Sequence, residues 1–162
     1  MSFCSDAAHL GFLNRNKGKE SDMEYRRFGS HYLVRIDRGE EIMESLIQMC
    51  REEEILLGSV SGLGAADYAK VGLYRVEDHQ FEGREFIGEQ EISSIVGSIT
   101  EKDGQPYLHL HINLCDENMN IHGGHLTACR ISGTCELTVT VLEGHVGRAH
   151  DEVTGLNLFE FD

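Results

Sequence analysis

The segment Tyr107-Leu108-His109-Leu110-His111-Ile112-Asn113-Leu114 alternates polar and apolar residues without a break. A period of two marks a β-strand, because successive side chains leave opposite faces of the pleat. Leu108, Leu110, Ile112 and Leu114 therefore share one face, and Tyr107, His109, His111 and Asn113 the other. Such a strand needs a core against its leucine face, and its polar face is left as solvent surface, interface or pocket. Lys102-Asp103-Gly104-Gln105 just before it predicts a hairpin, since Asp-Gly readily takes the positive φ angles of a tight turn.

One stretch follows a different period. From Glu40 to Glu54, Ile42, Met43, Leu46, Ile47, Met49 and Cys50 recur at helical spacing and predict a single amphipathic helix. Glu40 and Glu41 suit the positive end of its dipole, whereas Glu52, Glu53 and Glu54 complement the negative end poorly. His31 to Asp37 reads as a strand before the helix. After it, Ile55 to Val60, Ala69 to Val76, Glu91 to Thr100, Pro106 to Leu114, Thr127 to Ile131, Cys135 to Leu142 and Leu156 to Phe161 read as strands, with a turn at Gly62-x-Gly64. One main helix and about seven strands predict an α+β fold, a mostly antiparallel sheet or barrel-like core with the helix packed on it. Residues 1–22 have no sustained periodicity and carry the polar run Asn14 to Asp22, so a disordered tail is expected there. Residues 23–162 are expected to form one domain, a size at which a 40% hydrophobic chain fills a single core.

Charge and cysteine content narrow the function classes. The formal net charge is −14, which repels phosphate backbones and anionic lipid unless basic groups are concentrated locally. The longest uncharged stretch, Ile55 to Ala66, falls short of the roughly 20 apolar residues of a membrane helix, so no membrane association is expected. The first 22 residues lack the pattern of a secretory signal, and the cytoplasm is the expected compartment. Cys4, Cys50, Cys115, Cys129 and Cys135 form no C-x-x-C pair and are odd in number, so they read as reduced, mostly buried thiols.

The chemistry-bearing candidates are histidines. His109 and His111, at i and i+2 on one strand, share a face with Cα atoms roughly 6 to 7 Å apart, close enough to converge on one ion. The loop Cys115 to Asn120 returns the chain to Ile121-His122-Gly123-Gly124-His125, which brings a third imidazole back to the pair. Of His122 and His125, the second is favoured, because Gly123-Gly124 lets the backbone approach closely and His125 leads into the apolar run at Leu126. Three imidazoles on one divalent ion, zinc by default, leave a fourth position open for water or a small-molecule ligand. The competing reading of the pair is a solvent-facing strand that happens to carry two histidines. Glu136, Glu143 and Arg148 are candidates for outer contacts to the site or to an anion, against the commoner fate of surface charges. His9, His31, His79, His145 and His150 receive no role, and no catalytic acid, base or nucleophile is assigned. The sequence has no G-x-S-x-G, P-loop or G-x-G-x-x-G motif.

Arg38-Gly39-Glu40, Ser61-Gly62-Leu63-Gly64-Ala65, Glu91-Ile92-Ser93-Ser94-Ile95-Val96-Gly97, Leu108-His109-Leu110-His111, Gly123-Gly124-His125-Leu126 and Thr134-Cys135-Glu136-Leu137 occur in this order. Together they resemble the plants and prokaryotes conserved (PPC) domain, from about Met23 to Phe161. The resemblance implies a compact α+β fold assembling as a homotrimer. In prokaryotic members it implies a histidine metal site, which here matches His109, His111 and His125. The family is often labelled DNA-binding, and its plant members pair the domain with an AT-hook, an Arg-Gly-Arg-Pro element that enters the minor groove. No such element is present here. Gly88-Glu89-Gln90-Glu91-Ile92 stands where the plant domain has Gly-Arg-Phe-Glu-Ile, an anion in place of a cation. The expectation is thus a stand-alone prokaryotic type that binds metal, with a DNA-binding regulator or a protein-assembly scaffold as alternatives.

Overall fold

The computed structural model of the protein describes residues 23–161; the expected tail at residues 1–22 lies outside the described residues. Eight strands and one helix follow in the order β1 (Glu24–Phe28), β2 (His31–Asp37), α1 (Ile42–Glu52), β3 (Gly58–Arg75), β4 (Gln80–Lys102), β5 (Gln105–Cys115), β6 (Ile121–Val141), β7 (Gly147–Asp151) and β8 (Leu156–Glu160). Every named strand pairing is antiparallel, and the architecture is the α+β arrangement expected from the sequence.

The main sheet runs β1-β2-β6-β3-β4-β5, and β6 also pairs with β5, so β6, β3, β4 and β5 close on themselves. Closure is made possible by the length of β6. Its first residues pair with β5, its middle with β3, and its last third lies between β3 and β2. Sequence reading had divided both β3 and β6 into two strands each. The Gly62-x-Gly64 segment is not a turn but sits inside β3, at a shift of register against both neighbours. A Cβ on Gly64 would lie 2.5 Å from Thr134 O, so glycine is required there for close approach to β6. Such irregularities bend long strands, as a closed sheet demands. The Asp103-Gly104 turn forms as expected between β4 and β5, with positive φ at both residues (53° and 74°).

The inward faces make one apolar cluster. Val60, Ile95, Ile99, Leu110, Ile112, Leu126, Ile131 and Val139 come from the ring, and Ile42, Leu46 and Met49 from α1, which packs on β5 and β6. Glu41 caps the helix by accepting from Glu44 N at 2.8 Å, and its second oxygen accepts from Cys129 N at 2.7 Å, which fastens the helix start to β6. At the other end, the carboxylates that suit the dipole poorly have partners of their own. Tyr32 OH donates to Glu53 at 2.8 Å, and Tyr25 OH lies 3.1 Å from carboxylate oxygens of Glu52 and Glu53.

Two features missed in the sequence frame the outer surface. Beyond Gly72, the last β3 residue paired with β6, β3 and β4 run on past the ring as a hairpin arm, Leu73 to Glu82, with no buried residue. β7 and β8 form a second, two-stranded sheet that packs on β4.

Candidate metal centre

On β5 the alternation read from the sequence holds. Leu108, Leu110, Ile112 and Leu114 are buried, whereas His109, His111 and Asn113 are exposed on the outer face of the ring. His125 joins them from β6 as the direct cross-strand partner of His111. Directly opposed residues share a face, so that pairing places the third imidazole beside the first two. The ring centroids of His109, His111 and His125 are 5.2 to 5.6 Å apart, and one nitrogen from each ring lies within 4.8 Å of the others.

The return loop works through its glycines. A Cβ on Gly124 would lie 2.6 Å from Gly72 O, and one on Gly123 would run into the carbonyl of Ile112 and lie 2.9 Å from Asn113 Oδ1. Side chains at these positions would hold β6 away from β3 and β5 and carry His125 off with it. His122 faces the other way. It stands opposite Leu114, its ring stacks on Phe86 at 4.5 Å, and its Nε2 lies 3.1 Å from Gln90 Oε1.

Electrostatics favours the neutral form of two of these rings, His109 and His125. Partial burial lowers the pKa of His109 from its ordinary value, helped by the charges of His125, His111 and Arg148. Burial lowers that of His125 too, with His111 adding to it. Neutral imidazole is the form that offers a lone pair to a metal. Phe81, from the β4 arm, meets His125 edge-on with centroids 5.9 Å apart and walls that side of the cluster. Three convergent nitrogen donors suit a borderline-soft divalent ion, and among the described residues these histidines form the group whose donor atoms could share one.

Of the charged residues singled out with the histidines, only Arg148 comes to this face. It reaches from β7 to Ser98 and Thr100 on β4, and Ser98 is the cross-strand partner of His109. Glu136 lies far along β6, paired with Arg35 and Leu63, and Glu143 is an exposed residue beyond the end of β6. His79 and His145 make their contacts elsewhere, with Val153 O and Glu101. Ser98 and Thr100 on β4 and Phe159 on β8 carry no recognisable signal in the sequence, because the β4–β5 register and the packing of hairpin β7–β8 on β4 bring them around Arg148 from distant positions.

Residues 23–143 match the family model of the Plants and Prokaryotes Conserved (PCC) domain. The chain belongs to this family. Among solved structures, a metal-containing protein from Archaeoglobus fulgidus is 31% identical with a TM-score of 0.78, over 86% of this chain and 98% of that one. A protein from Bacteroides thetaiotaomicron, provisionally described as DNA-binding, is 29% identical with a TM-score of 0.84, over 86% of this chain and 97% of its own. The plant- and prokaryote-conserved protein of Pyrococcus horikoshii is 26% identical with a TM-score of 0.76, over 86% and 94% of the two chains. No curated protein matches the chain at a significant level. The domain thus shares its architecture with relatives described variously as metal-containing and as DNA-binding, and no helix among the described residues is long and apolar enough to cross a membrane.

Proposed function

We propose that this PPC-domain protein binds one divalent metal ion per chain, zinc in the first instance, through His109, His111 and His125, and works as a cytoplasmic homotrimer. The observation that carries the reading is the meeting of three imidazole nitrogens within 4.8 Å on two adjacent strands. A metal held by three protein ligands keeps an open position, where it would lower the pKa of a bound water or polarise a carbonyl oxygen of a small ligand. The chain's own contribution is to hold the donors in place and to favour the neutral form of His109 and His125. The β5–β6 register orients His111 against His125, and Phe81 packs edge-on against His125.

Metal analysis of the purified protein tests this. The expected result is one equivalent per chain in wild type and loss of most of it in His111→Ala; absence of stoichiometric metal from wild type ends the proposal. Assembly finds support in Leu33, Leu63 and Val96, strand residues that are 54%, 56% and 53% exposed, Val96 directly across from His111. Exposed apolar side chains of this size gain by a protein neighbour in place of water.

The provisional description of the Bacteroides relative motivates a second reading, binding to DNA. The net charge of −14 opposes it. Affinity for duplex DNA measured across salt separates the two readings, since a phosphate-contacting surface loses affinity steeply as salt rises.

A further inference from the structure

Arg148 is a half-buried cation without an anion. Nε donates to Thr100 Oγ1 at 2.8 Å, one terminal nitrogen to Asn157 O at 3.0 Å, and the other to Ser98 Oγ at 3.3 Å. All three acceptors are neutral, and no carboxylate among the described residues pairs with it. A guanidinium has five N–H donors, so two are left over. The group is also clamped flat, with its central carbon 4.4 Å from the Phe159 ring centroid and 4.9 Å from that of Tyr107. A fold that withdraws a guanidinium from water and fixes its plane, without supplying a counter-charge, leaves a preorganised place for one.

The location decides which anion. Ser98 lies directly across β4–β5 from His109, and Thr100 directly across from Tyr107, so the guanidinium sits over the same outer face as the histidine cluster. Its charge is near enough to contribute to the lowered pKa of His109. The family match stops at residue 143, so Arg148 belongs to the segment that follows it, delivered by the β7–β8 hairpin.

We propose that Arg148 is the anion-binding half of the histidine site, and that the ligand is a small carboxylate held between the guanidinium and a cation on His109, His111 and His125. A planar carboxylate matches a planar guanidinium through parallel hydrogen bonds, and a short acid can meet the guanidinium at one oxygen and a neighbouring cation at the other. This assignment rests on the metal-site reading above, and the experiment separates the two.

Cobalt(II) is loaded into wild type, Arg148→Gln and Arg148→Lys, metal content is matched, and acetate is titrated while the visible cobalt spectrum is recorded, with neutral methyl acetate as control. Wild type is expected to bind acetate about tenfold or more tightly than Arg148→Gln, the scale of one charge-assisted hydrogen bond, with Arg148→Lys between them and methyl acetate inert. Thermal melts establish that the variants are folded; should Arg148→Gln not fold, Arg148→Lys carries the comparison through its loss of the planar fork. Equal acetate affinities at equal cobalt content overturn the carboxylate assignment and leave the metal site standing. If wild type takes up no cobalt, the metal reading fails, and the Arg148 Nε resonance under acetate titration decides the rest. A saturable shift retains the anion site, and an unmoved resonance overturns it.

Discussion

Cys50, Cys129 and Cys135 are buried, and withdrawal from water pushes each thiol up to about 12. Since the thiolate is the reactive form, these three stay inert in the folded protein. Brief iodoacetamide treatment of the native chain is expected to leave them unmodified, with half-buried Cys115 labelled, and peptide mass spectrometry reads the result; labelling of Cys129 without prior unfolding contradicts the packing described. For the described cysteines, the reading as reduced, mostly buried residues was legible in their number and spacing; Cys4 lies outside the described residues. That His125 and not His122 lies beside His109 and His111 was legible too, because two glycines ahead of an apolar run point to a backbone pressed against its neighbours. The place of Arg148 beside His109 was not, since nothing local links residues 39 positions apart along the chain.

Strand β5 separates stability from binding. Leu110 is fully buried and His111 exposed one position later, so Leu110→Ala is expected to cost about 3 kcal/mol of folding free energy in the metal-free protein. His111→Ala should stay within about 0.5 kcal/mol in the same state and lose the metal instead. Urea unfolding with parallel metal analysis checks both, and a destabilised metal-free His111→Ala would mean that the histidine face is structural. At the β7–β8 hairpin, Asp151 accepts from the Thr154 hydroxyl at 2.6 Å and from its backbone N–H at 2.9 Å, which holds the carboxyl below its ordinary range. A carboxylate with a depressed folded-state pKa contributes stability above the unfolded-state value and loses it as pH falls through the folded one. The Thr154 amide resonance is therefore expected to hold steady at neutral pH and move only below about pH 4. A transition between pH 5 and 7 would show that Asp151 is not the group responsible. Helix α1 was readable from its apolar spacing, but the hydrogen bonds of Tyr25 and Tyr32 to the acidic residues at its end depend on β1 and β2 lying beside it.

For the whole molecule, the expected trimer gives light scattering at about three times the monomer mass, and charged replacements at Leu63 and Val96 should lower it toward one. A wild-type monomer at micromolar concentration would remove the assembly proposal while leaving the histidine geometry untouched. If the metal sits on one outer wall and not in the core, chelation is expected to strip it without unfolding the chain, so that far-UV circular dichroism is retained. Collapse on chelation would instead mean that the ion is part of the folding free energy.

Alternation and period, properties of neighbouring residues, determined that the chain makes one helix among many strands, which side of β5 is core, and which two histidines share a face. Tertiary structure alone decided that β3 and β6 run unbroken through their glycines, that the sheet closes through the β5–β6 pairing, and that a late hairpin sets a guanidinium beside the imidazoles. The physical reason is range: side-chain periodicity acts over a few residues, whereas register and closure are settled by which distant backbones can approach closely enough to exchange hydrogen bonds.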